Sequence, residues 1–215
     1  MKRREFSHQL AAGGLLLVAG AAARAQGGPV EGTHYVRLSQ PAPLNLAAGK
    51  KVEVVEFFWY ECPHCNAFEP ALDAWVARLP ADVDFKRVPV GFTARHQVAQ
   101  KAFYALEEIG QLEAMHKRIF AAIHVQGQRL LTEKAYVDFM AANGVDADKF
   151  AAAFRGFSVN TKANRARQLS DAYKIDGVPA LGIQGRFYTS GSLAGGAERV
   201  LAVASFLIDR ARRGT

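Results

Sequence analysis

Cysteine is scarce in this chain: two in 215 residues, at positions 62 and 65. Without a second pair there is no four-ligand set of the kind that structural zinc takes. His34, His96, His116 and His124 lack a tight ligand spacing and read as ordinary surface or helix residues, so no metal is expected. A bridge between residues three apart closes a tiny loop and stabilises far less than the ~3 kcal/mol of a 15-residue loop, so a structural staple is a poor account of it. The apolar stretch Leu10 to Ala23 has 14 residues with three glycines, short of the roughly 18 to 20 that span a bilayer. Aromatic–basic stripes are absent too. Apart from Arg210, Arg212 and Arg213 the basic residues are scattered, which reads as a solvated face and excludes a nucleic-acid surface. Internal repeats and low-complexity segments are not evident.

Lys2, Arg3 and Arg4 precede the apolar stretch, and Ala23-Arg24-Ala25 follows as an A-x-A cleavage site. Together these read as an export signal over residues 1–25. Arg3-Arg4-Glu5-Phe6 partly matches a twin-arginine signature, but Ser7 and His8 depart from it, and both export routes stay open. No cysteine near the cleavage site is available for lipid modification. Removal of Lys2, Arg3, Arg4, Glu5 and Arg24 lowers the formal charge from +7 to +4, an ordinary surface. Export places the cysteines in an oxidising compartment.

Tyr35 to Leu38 reads as a short edge strand. Val52 to Trp59 is a strand apolar on both parities except at Glu53 and Glu56, as for a strand covered on both faces. The helix that follows carries Cys65, Phe68, Leu72, Trp75 and Leu79 at spacings of three and four, so Cys65 points toward the core and Cys62 stands at the rim. Pro70 should kink that helix. Val83 to Val90 is a second strand, and from about Arg95 to Phe157 the pattern turns helical, with Thr132 and Asp146 as N-caps. A long helix over Ser158 to Tyr173 leads to Gly177-Val178-Pro179, a hairpin of Ala180 to Ile183 and Arg186 to Thr189 about Gln184-Gly185, and a closing helix. This order is an α/β domain with a helical insertion.

Cys62-Pro63-His64-Cys65 lies where the first long strand feeds its helix. With Cys62 as N-cap, Pro63 is the first helical residue, where its missing N–H costs nothing. The N–H groups of His64 and Cys65 then face the Cys62 sulfur and favour its anion. Thiolates are what disulfide exchange runs on, so the pattern points to dithiol/disulfide redox chemistry.

The chain resembles the DsbA family of thiol:disulfide oxidoreductases in Glu56-Phe57-Phe58, Cys62-Pro63-His64-Cys65, Phe68 and Glu69, and in Gly177-Val178-Pro179-Ala180, 114 positions beyond Cys65 at Pro179. The resemblance implies a thioredoxin-like α/β fold with an inserted all-helical domain. Residues 26–93 and 158–215 would form its two thioredoxin-like parts and 94–157 the insertion. It implies that Cys62 is a surface-accessible nucleophile and Cys65 its buried partner, that His64 favours the Cys62 thiolate, and that Pro179 follows a cis bond beside the disulfide. Glu56 and Lys86 would be a buried acid and a nearby lysine beneath it. Glu56 is then either a proton relay for Cys65 or the structural partner of Lys86.

Val178 and Pro179 are the expected substrate-contacting backbone, open to an extended chain by β-augmentation. Trp59-Tyr60-Glu61 and Asn66 vary from the best-known members. The expected activity is periplasmic donation of the Cys62–Cys65 disulfide to unfolded exported proteins with free thiols, by a monomer without a cofactor. A quinone-linked membrane oxidase of the DsbB type would restore the disulfide. An isomerase or reductase of the same fold, and a redox-inactive chaperone, are the rival readings.

Overall fold

The computed structural model describes residues 28–214, so the export-signal reading lies outside the described residues. In chain order the elements are β1 (Val36–Arg37), β2 (Val52–Phe58), α1 (Pro63–Val76), β3 (Val83–Pro89), α2 (Ala94–Glu108), α3 (Leu112–His124), α4 (Glu133–Ala142) and α5 (Ala147–Arg155). They continue with α6 (Phe157–Ala172), β4 (Ala180–Ile183), β5 (Phe187–Ser190), α7 (Gly191–Ala194) and α8 (Ala197–Arg212). The short α7 has no counterpart in the sequence reading.

The five strands lie in the order β1-β5-β4-β2-β3. β2 runs parallel to β3 and antiparallel to β4, and β4-β5 is an antiparallel hairpin with β1 on its outer edge. This is the thioredoxin-like α/β sheet with helices on both faces. At the hairpin turn Gln184 and Gly185 both take left-handed φ (52° and 61°), and the Arg186 N–H donates to the Ile183 carbonyl at 3.0 Å, a turn whose twist suits paired strands. A Cβ on Gly185 would stand 2.4 Å from the Ala42 carbonyl oxygen, so only glycine fits there.

β2 is buried along its whole length. Side chains of successive residues point to opposite faces, and each face has its own core. Val52 and Val54 pack with Leu72 and Trp75 of α1 and Leu207 of α8, whereas Val55 and Phe57 pack with Phe103 of α2, Ile119 of α3 and Tyr136 of α4. The second core joins the sheet to the helical block between β3 and α6. No described helix is long and apolar enough to cross a membrane.

Candidate active site

Cys62 is the N-cap of α1 and Pro63 its first residue. The Cys62 Sγ accepts a hydrogen bond from the Cys65 N–H at 3.4 Å. Both cysteines are free thiols. Cys62 is 7% exposed and Cys65 is fully enclosed. Cys62 is thus less open than expected but keeps an exposed area where Cys65 keeps none. The Val178–Pro179 segment lies over Cys62, with the Val178 carbonyl 3.5 Å from Sγ, where it accepts from the thiol form. The Val178–Pro179 bond is cis, and His64 is exposed.

The two sulfurs differ in acidity. A hydrogen bond from the Cys65 thiol draws Cys62 down to about 6, against the effect of burial, helped by the backbone N–H groups of Cys65 and His64 and by the charge of the His64 imidazole. Burial pushes Cys65 far up, and its hydrogen bond to Cys62 and the charge there add to the rise. One sulfur is thus an anion near neutral pH and the other a proton-bearing thiol.

Beneath the pair, Glu56 is fully buried and neither carboxyl oxygen has a hydrogen-bond partner. Its ion contact is with Arg87, Nε to Oε2 at 3.1 Å. The Glu56–Lys86 pairing is therefore corrected: Lys86 Nζ meets Glu53 at 2.9 Å and Asp84 at 3.0 Å. Strand register explains this. Arg87 lies opposite Glu56 and Lys86 opposite Val55, so Lys86 shares the face of Glu53. Arg87 Nη2 also binds Glu69 at 3.2 Å and Asp73 at 2.7 Å, and Lys117 reaches Asp73 at 2.5 Å.

Two cations face three carboxyls in this cluster, and the most deeply buried of the three is Glu56. Burial, then the charge of Glu69, pushes Glu56 up to about 8 despite Arg87. Against the cost of burial, Lys117 and Arg87 hold Asp73 below its usual range. Glu56 is the proton-bearing member. Asp73, Arg87, His116 and Lys117 open onto a groove of about 1330 Å³ between the β3 edge and helices α2, α3 and α6.

His116 and His124 are helix residues as expected, both on α3, but they are not ordinary ones. Both turn toward Tyr60, two residues before Cys62. His116 is 6% exposed, with Nδ1 2.8 Å from the Tyr60 hydroxyl and Nε2 3.4 Å from Glu69 Oε2. His124 Nε2 lies 2.8 Å from the Tyr60 carbonyl. The i, i+4, i+8 spacing of His116, Phe120 and His124 was the available signal. Nearer the rim, Trp59 lies against His96 with ring centroids 4.1 Å apart and planes tilted by 31°, and Arg95 pairs with Glu61 while lying over the Trp59 ring.

A family model described as a DSBA-like thioredoxin domain matches residues 82–207, a span that holds Pro179 but begins after the cysteines. The chain is 41% identical over 192 residues to the thiol:disulfide interchange protein DsbA of Burkholderia cepacia, with 89% of this chain and 90% of that protein covered. It is 40% identical over 181 residues to the protein of the same name from Azotobacter vinelandii, with 84% of each covered. In three dimensions it is similar to the crystal structure of Pseudomonas aeruginosa DsbA, with a TM-score of 0.81 and 39% identity over 86% of this chain and 95% of that one. The oxidoreductase DsbA of Xylella fastidiosa superposes with a TM-score of 0.80 at 32% identity, over 86% of this chain and 98% of that one.

Proposed function

The chain belongs to the DsbA-like thioredoxin family, and from that premise we propose that it oxidises thiol pairs of unfolded exported proteins in the periplasm with its Cys62–Cys65 disulfide. It is a thiol:disulfide oxidoreductase. The observation that carries the assignment of roles is that Cys62 caps α1 and its sulfur accepts the Cys65 N–H at 3.4 Å, while Cys65 is fully enclosed; hydrogen bonds from the Cys65 thiol and backbone draw Cys62 down and burial pushes Cys65 up.

In the oxidised enzyme a substrate thiolate attacks the Cys62 sulfur. A substrate–Cys62 disulfide forms, the Cys62–Cys65 bond breaks, and Cys65 leaves with the electron pair. Cys65 then takes a proton, for which Glu56 is the donor. The substrate's second thiolate attacks its own sulfur in the mixed disulfide and expels Cys62 as a thiolate. Two electrons have passed from the substrate dithiol to the enzyme; of the two protons the substrate thiols give up, one restores Glu56 and the other goes to solvent. Each pKa unit of thiolate stabilisation makes such a disulfide more oxidising by ~1.4 kcal/mol, or ~30 mV for two electrons; DsbA is itself the standing example of this effect.

The backbone at Val178 and Pro179, over Cys62, supplies contacts for an extended substrate with little regard for sequence. His64 and Pro63 act through the helix start, and Lys86 takes no part in the exchange. We assign residues 26–93 and 158–215 to the thioredoxin-like parts and 94–157 to the helical insertion, after cleavage of residues 1–25. The protein works as a monomer without a cofactor, and a DsbB-type quinone-linked membrane oxidase removes the two electrons. Oxidation of a reduced, unfolded test protein should occur with the intact chain and be abolished by Cys62→Ala; turnover that survives this substitution overturns the reading.

A further inference from the structure

Tyr60 belongs to neither a strand nor a helix; it lies in the short link between β2 and the N-cap Cys62. Such a link would ordinarily be the least constrained part of the site, yet Tyr60 is fully buried. Its ring meets Phe58, His116 and Phe120, with centroids 5.1 to 5.3 Å apart. Both of its polar ends are taken by one helix of the helical block, the hydroxyl by His116 and the carbonyl by His124.

The hydrogen-bond inventory assigns the protons. Burial, above all, keeps Tyr60 a phenol far above neutral pH, and with the His116 Nε2–H turned toward the Glu69 carboxyl oxygen at 3.4 Å, the phenol O–H is the donor to Nδ1. Burial likewise holds His116 below the usual imidazole range. A neutral ring accepting at Nδ1 carries its proton on Nε2, which faces Glu69. His124 Nε2–H donates to the Tyr60 carbonyl. His116 therefore spans two parts of the site, the link that carries Cys62 and the carboxyl cluster around Arg87 that surrounds Glu56. The groups facing it are Glu69 and Asp73 from α1, Arg87 from β3 and Tyr60 from the link, with Lys117 on its own helix paired to Asp73.

Polar groups in such a place are costly unless satisfied; the Nδ1 end of His116 is satisfied by Tyr60, whereas Nε2 stands 3.4 Å from Glu69 without a hydrogen bond. We propose that His116 and His124 are positioning residues for the disulfide chemistry, fixing the Tyr60 link so that Cys62 keeps its N-cap geometry. Through His116 the helical block also touches the acid cluster that sets the proton affinity of Glu56. The thioredoxin-like part carries the reacting sulfurs, and the helical block holds the link on which their acidity depends. This inference rests on the proposed role of Cys62 as the stabilised thiolate.

Thiolate absorbance of the reduced full chain, followed against pH, tests it. His116→Phe fits the surrounding aromatic rings but removes both polar contacts, and Tyr60→Phe removes only the hydroxyl. Each should raise the Cys62 midpoint by about half a pH unit or more, a threefold loss of acidity. The double variant should shift no further than His116→Phe alone, because the two groups share one contact. His116→Gln, whose amide can accept from Tyr60 and donate toward Glu69, should return the midpoint toward that of the unaltered protein. A midpoint unchanged in both His116→Phe and Tyr60→Phe, even with lowered melting temperatures, overturns the positioning role. An ordinary midpoint near 8.5 in the unaltered chain would instead overturn the proposed function.

Discussion

Glu53 and Glu56 stand on the same strand, are both almost fully buried, and each meets a basic residue of β3. Their surroundings otherwise differ. Glu53 accepts from the Asn45 N–H at 3.0 Å and from Lys86 at 2.9 Å, and Lys86 is in turn held by Asp84. Glu56 has no hydrogen-bond partner at either oxygen and shares Arg87 with two further acids. Burial therefore does not by itself make an acid chemically active. The count of donors and the sign of the neighbouring charges decide whether a buried carboxyl is a fastener or a proton store.

The comparison breaks most readily at Glu56. Its folded pKa, about 8, lies above the ordinary 4.5. The stability it allows is fully present below pH 4.5 and is lost as pH rises through 8. Glu56→Gln should accordingly stabilise the fold by about 4 kcal/mol at pH 8 and by little at pH 4.5. Urea titrations at the two pH values measure this. Equal stability of variant and unaltered protein at both would place Glu56 in the same class as Glu53.

Lys86→Met probes the other end. It strips one donor from Glu53 and should cost about 2 kcal/mol, moderated by the partial exposure of Lys86. The rate of Cys62 alkylation should stay as it was. A changed alkylation profile would mean that the Glu53 end also reaches the thiols. The smallest effect is expected from His64→Pro, which touches neither glutamate but removes a backbone N–H and an imidazole beside Cys62. The glutathione equilibrium should become about 30 mV less oxidising, and an unchanged equilibrium constant would remove His64 from the account.

These contrasts also mark what local sequence can reveal. The Cys62 N-cap, Pro63 at the helix start, the Gln184–Gly185 turn and the caps at Thr132 and Asp146 depend on residues a few positions apart, and they were legible. The anomaly of two acids in an apolar strand was legible too, but not their partners. Choosing between Lys86 and Arg87 required the register of β2 against β3, which two adjacent basic residues cannot reveal. His116 and His124 formed a visible stripe on α3, but their partner lies 56 and 64 positions away. The cover over Cys62 was likewise hidden, since Val178 approaches from 116 positions downstream.

Calorimetry of the two redox forms across pH tests the stabilised Cys62 thiolate most directly. A folded pKa near 6, below that of the unfolded thiol, contributes stability that is present in alkali and lost as pH falls through 6. The dithiol form should melt about 5 °C or more above the disulfide form at pH 8, with the gap closing toward pH 5. A disulfide form that melts higher at every pH would contradict the account.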